Sequence, residues 1–181
     1  MSSLKEIIGD YDSFLDEILA LIAEEGFKTE DLAQLDHVCY RTVSYSNYEQ
    51  KKKELKTVAL LLGETVVNNR PIATFRLIEP IIHNRWRIDA IELPAPKPGS
   101  KYLEGLEHVE FVIFDDMQKF VAKYSHKQFD LRSVKRGINP ELGFDLGKYS
   151  VKFHLLNLPT VIYLEEKIGI KEVSDTDKAL T

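Results

Sequence analysis

Leu35-Asp36-His37-Val38 and, 71 residues later, Leu106-Glu107-His108-Val109 are one phrase written twice: leucine, acid, histidine, valine. Each opens a run of β-formers, His37 to Val43 in the first case and Leu106 to Phe114 in the second. Between them lies Pro94-Ala95-Pro96-Lys97-Pro98-Gly99-Ser100. A stretch so rich in proline cannot be helix or central strand, so it reads as a linker. A phrase repeated in equivalent places on either side of a linker points to duplication. The alternative is chance likeness between two strand openings.

Outward from the phrase, the pattern predicts a helix in front. Leu4, Ile7, Ile8, Tyr11, Phe14, Leu15, Ile18, Leu19 and Ile22 recur at helical steps, and Gly26 is the stop. After the first strand, Asn47 serves as an N-cap for a helix through Leu62, closed by Gly63. Then come a short strand Glu64–Val67, a turn at Asn68-Asn69-Arg70-Pro71, and strands at Ile72–Ile78 and Arg85–Leu93. The second half repeats the plan: a strand Leu106–Phe114, a helix Asp115–Lys123, an ambiguous stretch Phe129–Val134, then strands at Glu141–Leu146 and Tyr149–Leu155. A helix Pro159–Lys167 and a frayed polar tail Glu172–Thr181 complete the chain. The expectation is an α+β fold in a single domain, residues 1–181. It divides into an N-terminal helix (1–30), a βαβββ module (35–94), a linker (94–100) and a second module (101–168).

Composition narrows the function. Of 181 residues, 44% are hydrophobic and 29% charged, which is ordinary globular usage. The net charge of −5, without a basic block, argues against nucleic acid. Lys51-Lys52-Lys53 reads as the solvated face of a helix. One cysteine, Cys39, makes no internal disulfide and fits a reducing compartment. No apolar run approaches a membrane span, and Met-Ser-Ser-Leu-Lys-Glu lacks the order of a signal peptide, so the expected location is cytoplasmic. The first helix is amphipathic with an acidic outer face, so its stripe is core or a homodimer contact, not a membrane anchor.

Strand side chains alternate faces, which sorts the polar residues. His37, Cys39 and Arg41 oppose Val38, Tyr40 and Thr42; His108, Glu110 and Val112 oppose Val109, Phe111 and Ile113. Lys152 and His154 oppose Val151 and Phe153, and Glu92 opposes Ile91 and Leu93. If the sheets curve, the polar faces line a cup carrying His37, Glu92, His108 and His154. Imidazole nitrogens and carboxylate oxygens suit a divalent Zn, Mn, Fe, Co or Ni ion. No short-range ligand motif accompanies them, and each histidine alone reads equally as a structural one. Cys39 reads as a small buried hydrophobe, Trp86 as core, and His83 and His126 as surface side chains.

Leu35-Asp36-His37-Val38-x-x-Arg41, Asn69-Arg70-Pro71-Ile72, Leu77-x-Glu79-Pro80, Ile91-Glu92-Leu93-Pro94, Glu107-His108-Val109-Glu110 and Lys152-Phe153-His154 together resemble the YecM family. That family resembles the vicinal oxygen chelate superfamily of glyoxalase-like proteins. The likeness spans roughly residues 10–167. It implies two βαβββ modules in a cupped mixed sheet, with metal ligands on the first and fourth strands of each. By that implication His37, Glu92, His108 and His154 hold the metal. The last position is often Glu in catalytic members, and here it is His154. The resemblance implies a metal-dependent isomerase, lyase or dioxygenase acting on a small molecule with adjacent oxygens. The alternative is a non-catalytic protein that holds a small molecule or metal in the same cup. Glu110 is the candidate general base or orienting carboxylate, against a partner role for Arg41. Arg41 and Arg70 are candidate substrate contacts; the alternatives are an ion pair of Arg41 with Glu110 or Glu92, and a surface role for Arg70.

Overall fold

The structure, a computed structural model, describes residues 2–67, 69–97, 99, 103–135 and 138–168. The expected tail at 172–181, Asn68 of the turn, and Pro98 and Ser100 of the linker lie outside the described residues. The N-terminal segment forms two helices, α1 (Leu4–Ile8) and α2 (Tyr11–Glu24), where one was expected. Gly9, at φ 89, adopts a backbone that other residues avoid, and the helix breaks there. β1 (Leu32–Arg41) leads into α3 (Tyr45–Leu55), whose cap is Ser44 accepting from the Asn47 amide. The helix expected to reach Leu62 ends at Leu55, and β2 (Ala59–Val67) takes up the remainder. A short apolar run fits either period, and here pairing with a neighbouring strand decides it. β3 (Arg70–His83) and β4 (Trp86–Pro94) complete the first module. β5 (Gly105–Ile113), α4 (Met117–Lys123), β6 (Glu141–Asp145), β7 (Ser150–His154) and α5 (Leu158–Ile168) follow.

The seven strands form one mixed sheet in the order β2-β3-β4-β1-β5-β7-β6. β1 runs parallel to β4, and β5 parallel to β7. The two first strands, β1 and β5, pair antiparallel at the centre and join the modules. The α+β expectation holds, and the sheet is open rather than closed into a barrel. Module two is the leaner copy. Where module one has β2, its described residues show a bridge from Asp130 to Gly143.

Burial of the apolar faces holds the sheet to its helices. Leu15 and Ile18 of α2 and Phe75, Ile91, Val109, Phe111 and Phe153 of the sheet are fully buried in one core. The stripe left open between core and dimer contact is therefore core in this chain. Phe27 gathers the rings of Phe120, Tyr124, Phe144 and Phe153 around itself. Trp86 packs edge-on against Phe111, as core. His83, expected at the surface, is instead buried against α2, with Nε2 2.9 Å from Asp16. Lys51 and Lys52 are also not simply solvated. Lys51 donates to the Ile7 carbonyl, and Lys52 lies between Glu49 and Glu64. With the core on one face, the opposite face is left to the cup. α5 lines that cup with Leu158, Val161 and Ile162, and a Cβ at Gly63 of β2 would lie 3.8 Å from Ile162 Cγ2.

Candidate metal centre

The repeated phrase positions the site through a pair of β-bulges. Along the central β1–β5 ladder, Leu35 faces Phe111 and His37 faces Glu110, so Asp36 has no opposite number. Farther along, Cys39 faces His108 and Tyr40 faces Leu106, so Glu107 has none. An extra residue in a ladder re-aims its side chain. Strict alternation would send each acid away from its histidine. Instead Asp36 Oδ2 lies 3.0 Å from His37 Nδ1, and Glu107 Oε2 lies 3.2 Å from His108 Nδ1. Each carboxylate accepts a hydrogen bond from Nδ1–H, which leaves the Nε2 lone pair of its imidazole to bind a metal, the arrangement of a carboxylate–histidine–metal triad.

Both Nε2 atoms converge on Glu110. Its Oε1 is 3.4 Å from His37 Nε2 and 3.2 Å from His108 Nε2. Glu92 Oε2 lies 3.9 Å from His108 Nε2. His37, Glu92, His108 and Glu110 thus offer four ligand atoms within 4.8 Å of one another. With metal–ligand bonds near 2.1 Å, neighbouring ligands of a tetrahedral ion sit roughly 3.4 Å apart. His37 Nε2 is buried and has no hydrogen-bond partner among the described residues. A buried polar atom without a partner is costly, and a cation at this point would satisfy it. The residues present therefore fit a divalent ion.

The expected set of four is brought together only in part. His37, Glu92 and His108 meet, but the fourth member of the group is Glu110, read from sequence as the general base. His154 belongs to an adjoining group with Asp36 and His37. Ladder register explains the difference. Glu92 is the β4 partner of Cys39, and Cys39 lies two residues past His37. The corresponding residue past His108 is Glu110, and its β7 partner is Lys152. So Lys152, not His154, is the counterpart of Glu92, and the reading of His154 as that counterpart is corrected. Lys152 Nζ donates to Glu110 Oε1 at 2.6 Å and lies 3.5 Å from Glu141.

The charges interlock. Burial pushes the Glu110 carboxyl up, but Lys152 and His37 outweigh it and hold the group well below the usual carboxylate range. Burial opposes the charged form of His37, but Glu110 and Asp36 outweigh it and raise its pKa well above the usual value. His108 is raised likewise against burial, by Cys39 and Glu107. His154 moves the other way, because burial dominates.

Arg41 was expected either to contact substrate or to pair with Glu110 or Glu92. Instead Arg41 Nε donates to Glu107 Oε2 at 2.6 Å, and the same carboxylate faces Nη2. Burial pushes Glu107 up, yet His108 and Arg41 bring it down to about 2. Arg70 opens β3 and donates to the Ala95 carbonyl at 3.1 Å. Both arginines line a cavity of about 540 Å³ that contains the cluster. Cys39 is a buried free thiol on the His108 side, grouped with His108 and Glu107. Sequence reasoning missed Asp36, Glu107 and Lys152. The repeated acid was visible for the first two, but nothing local marked the bulges.

Comparison with known proteins places the chain among relatives. The family model described as YecM protein matches residues 3–139. Protein YecM of Escherichia coli (strain K12) is 26% identical, over 92% of this chain and 96% of that protein. A solved structural-genomics structure, Protein EC4020, is 25% identical with a TM-score of 0.74, covering 90% of this chain and 92% of its own. The crystal structure of methylmalonyl-CoA epimerase from Mycobacterium tuberculosis shares the fold with a TM-score of 0.53. It is 14% identical, over 76% of this chain and 96% of its own.

Proposed function

The chain belongs to the YecM family, and from that premise we propose that it is a divalent-metal enzyme of the vicinal oxygen chelate type. Its reaction would be that of an isomerase, lyase or dioxygenase on a small molecule with two adjacent oxygens. The observation that carries the reading is the convergence of two acid-oriented imidazoles and two carboxylates inside one cavity. The fold likeness to methylmalonyl-CoA epimerase supports the choice of superfamily.

His37, His108, Glu110 and Glu92 would hold the ion, and their donor chemistry suits Zn, Mn, Fe, Co or Ni. When bound, the metal supplies Lewis-acid polarisation of the substrate oxygens. Asp36 and Glu107 keep both imidazoles aimed at the cup. Glu110 is the deeper carboxylate and Glu92 the looser one, at 6% and 18% side-chain exposure. Glu92 would therefore be the group that moves a proton, and Glu110 would serve as a ligand. Arg41 and Arg70, on the cavity wall, orient an anionic part of the substrate. No described helix is long and apolar enough to cross a membrane. The same reading puts the protein in the cytoplasm, acting on a small molecule rather than on nucleic acid, given its net charge of −5.

One observation favours the second reading, a metal-free binding cup: the Lys152 ammonium already neutralises Glu110. Elemental analysis of protein purified without added metal, beside His37→Ala and His108→Ala, separates the two. Stoichiometric metal lost in both variants is the expected result. Folded wild type without metal, and with no metal affinity above that of the variants, would sink the enzyme reading.

A further inference from the structure

His154 is buried, and neither of its ring nitrogens has a hydrogen-bond partner among the described residues. Its Nε2 lies 3.4 Å from Glu110 Oε2 and 3.5 Å from Asp36 Oδ2. Glu110 is divided between two neighbourhoods. Its Oε1 faces His37, His108 and Lys152, and its Oε2 faces His154. Asp36 is divided too. Its Oδ2 accepts from His37 Nδ1 and from the Leu158 amide, while Oδ1 is buried without a partner. An imidazole and a carboxylate oxygen therefore stand with their hydrogen-bonding capacity unspent, beside the second oxygen of Glu110. Leaving such atoms buried and unsatisfied costs stability, and a cation held by both residues and by Glu110 would relieve it.

We propose that the cup holds a second divalent-cation subsite formed by the Asp36 carboxylate, His154 and Glu110 Oε2, beside the first and bridged to it by the Glu110 carboxylate. The proposal rests on the first site, since Glu110 serves both. The donor set of one nitrogen and two oxygens suits Mn, Fe or Zn, with open positions for water or a substrate oxygen. The separations of 3.4 and 3.5 Å from His154 Nε2 to Glu110 Oε2 and to the Asp36 carboxylate, measured at Oδ2, match neighbouring ligands of one ion with bonds near 2.1 Å. The near-parallel His37 and His154 rings, 6.2 Å between centroids, put one imidazole on each side of the bridge. Lys152 does not block the arrangement, because Glu141 stands 3.5 Å away to receive its charge when Glu110 turns to metal. A carboxylate-bridged pair places its ions about 3.5–4 Å apart, a span suited to two adjacent substrate oxygens.

The test uses chelator-stripped full-length protein reloaded with Mn(II) alone, in wild type, His108→Ala and His154→Gln. Bound metal is counted by equilibrium dialysis, and spin coupling is read by electron paramagnetic resonance. The expected result is two Mn(II) per chain with a coupled-pair spectrum in wild type, and one uncoupled ion in each variant. The wild-type spectrum needs no variant, so it decides the matter even if His154→Gln fails to fold. One uncoupled ion in wild type, retained in His154→Gln and lost in His108→Ala, overturns the second subsite and leaves the first intact. No Mn(II) in wild type overturns both.

Discussion

In module one the fourth strand faces the cup with Glu92; in module two the same ladder position holds Lys152. The first strands differ far less. Both carry an acid on a bulge, a histidine beside it, and the same hydrogen bond between them. The two halves share the backbone device that aims an imidazole and differ in the sign of the opposing side chain. The difference shows which part of the site is set by the ladder and which is free to vary. It also gives the cup its own internal cation beside Glu110, so a bound metal would compete with lysine for one carboxylate.

The sharpest way to break the comparison is to make the modules match. Lys152→Glu leaves Glu110 buried without its ammonium, and breaking such a pair costs about 3–5 kcal/mol. Urea unfolding should show that loss in the apoprotein, with most of it recovered at saturating Mn(II), and Mn(II) affinity should rise at least about tenfold. Unchanged affinity would mean that Lys152 does not compete with metal. The paired acids offer the next contrast. Asp36→Asn and Glu107→Gln should each weaken Mn(II) binding by about 10–100-fold in calorimetry, the usual cost of losing an orienting carboxylate. Asp36→Asn should cost more, because Asp36 is fully buried and also holds the Leu158 amide. The smallest effect is on acid stability. Glu107 sits at about 2 in the folded protein, against about 4.3 in an unfolded chain. A depressed carboxyl contributes stability above its unfolded pKa and loses it as pH falls through the folded one. Urea midpoints between about pH 4 and 2 should therefore fall more steeply for wild type than for Glu107→Gln; equal slopes would remove Glu107 from the account.

Much of this was legible in the repeated phrase. Period-two sorting put His37, Glu92, His108 and Glu110 on one polar face, and the sheet assembles all four. It failed where the backbone departs from period two. Asp36 and Glu107 belong by parity on the other face, and only the β1–β5 pairing reveals the bulges that turn them. It also failed where register decides. Lys152 and His154 alternate identically with Phe153, so the strand pattern does not say which of them answers Glu92. The β5–β7 ladder settles it for Lys152. The overrun of α3 has a different cause. Leu60 and Leu61 look like core, but they are exposed on the edge strand β2, where pairing with β3 overrides the helical reading.

Diffraction from crystals loaded with Mn(II), recorded to locate the metal by its anomalous signal, tests the central claim most directly. The account predicts a peak roughly 2.0–2.3 Å from His37 Nε2, His108 Nε2 and a Glu110 oxygen, with Glu92 closing the shell. A cup without a peak at saturating Mn(II), or a peak that misses both histidines, would contradict it.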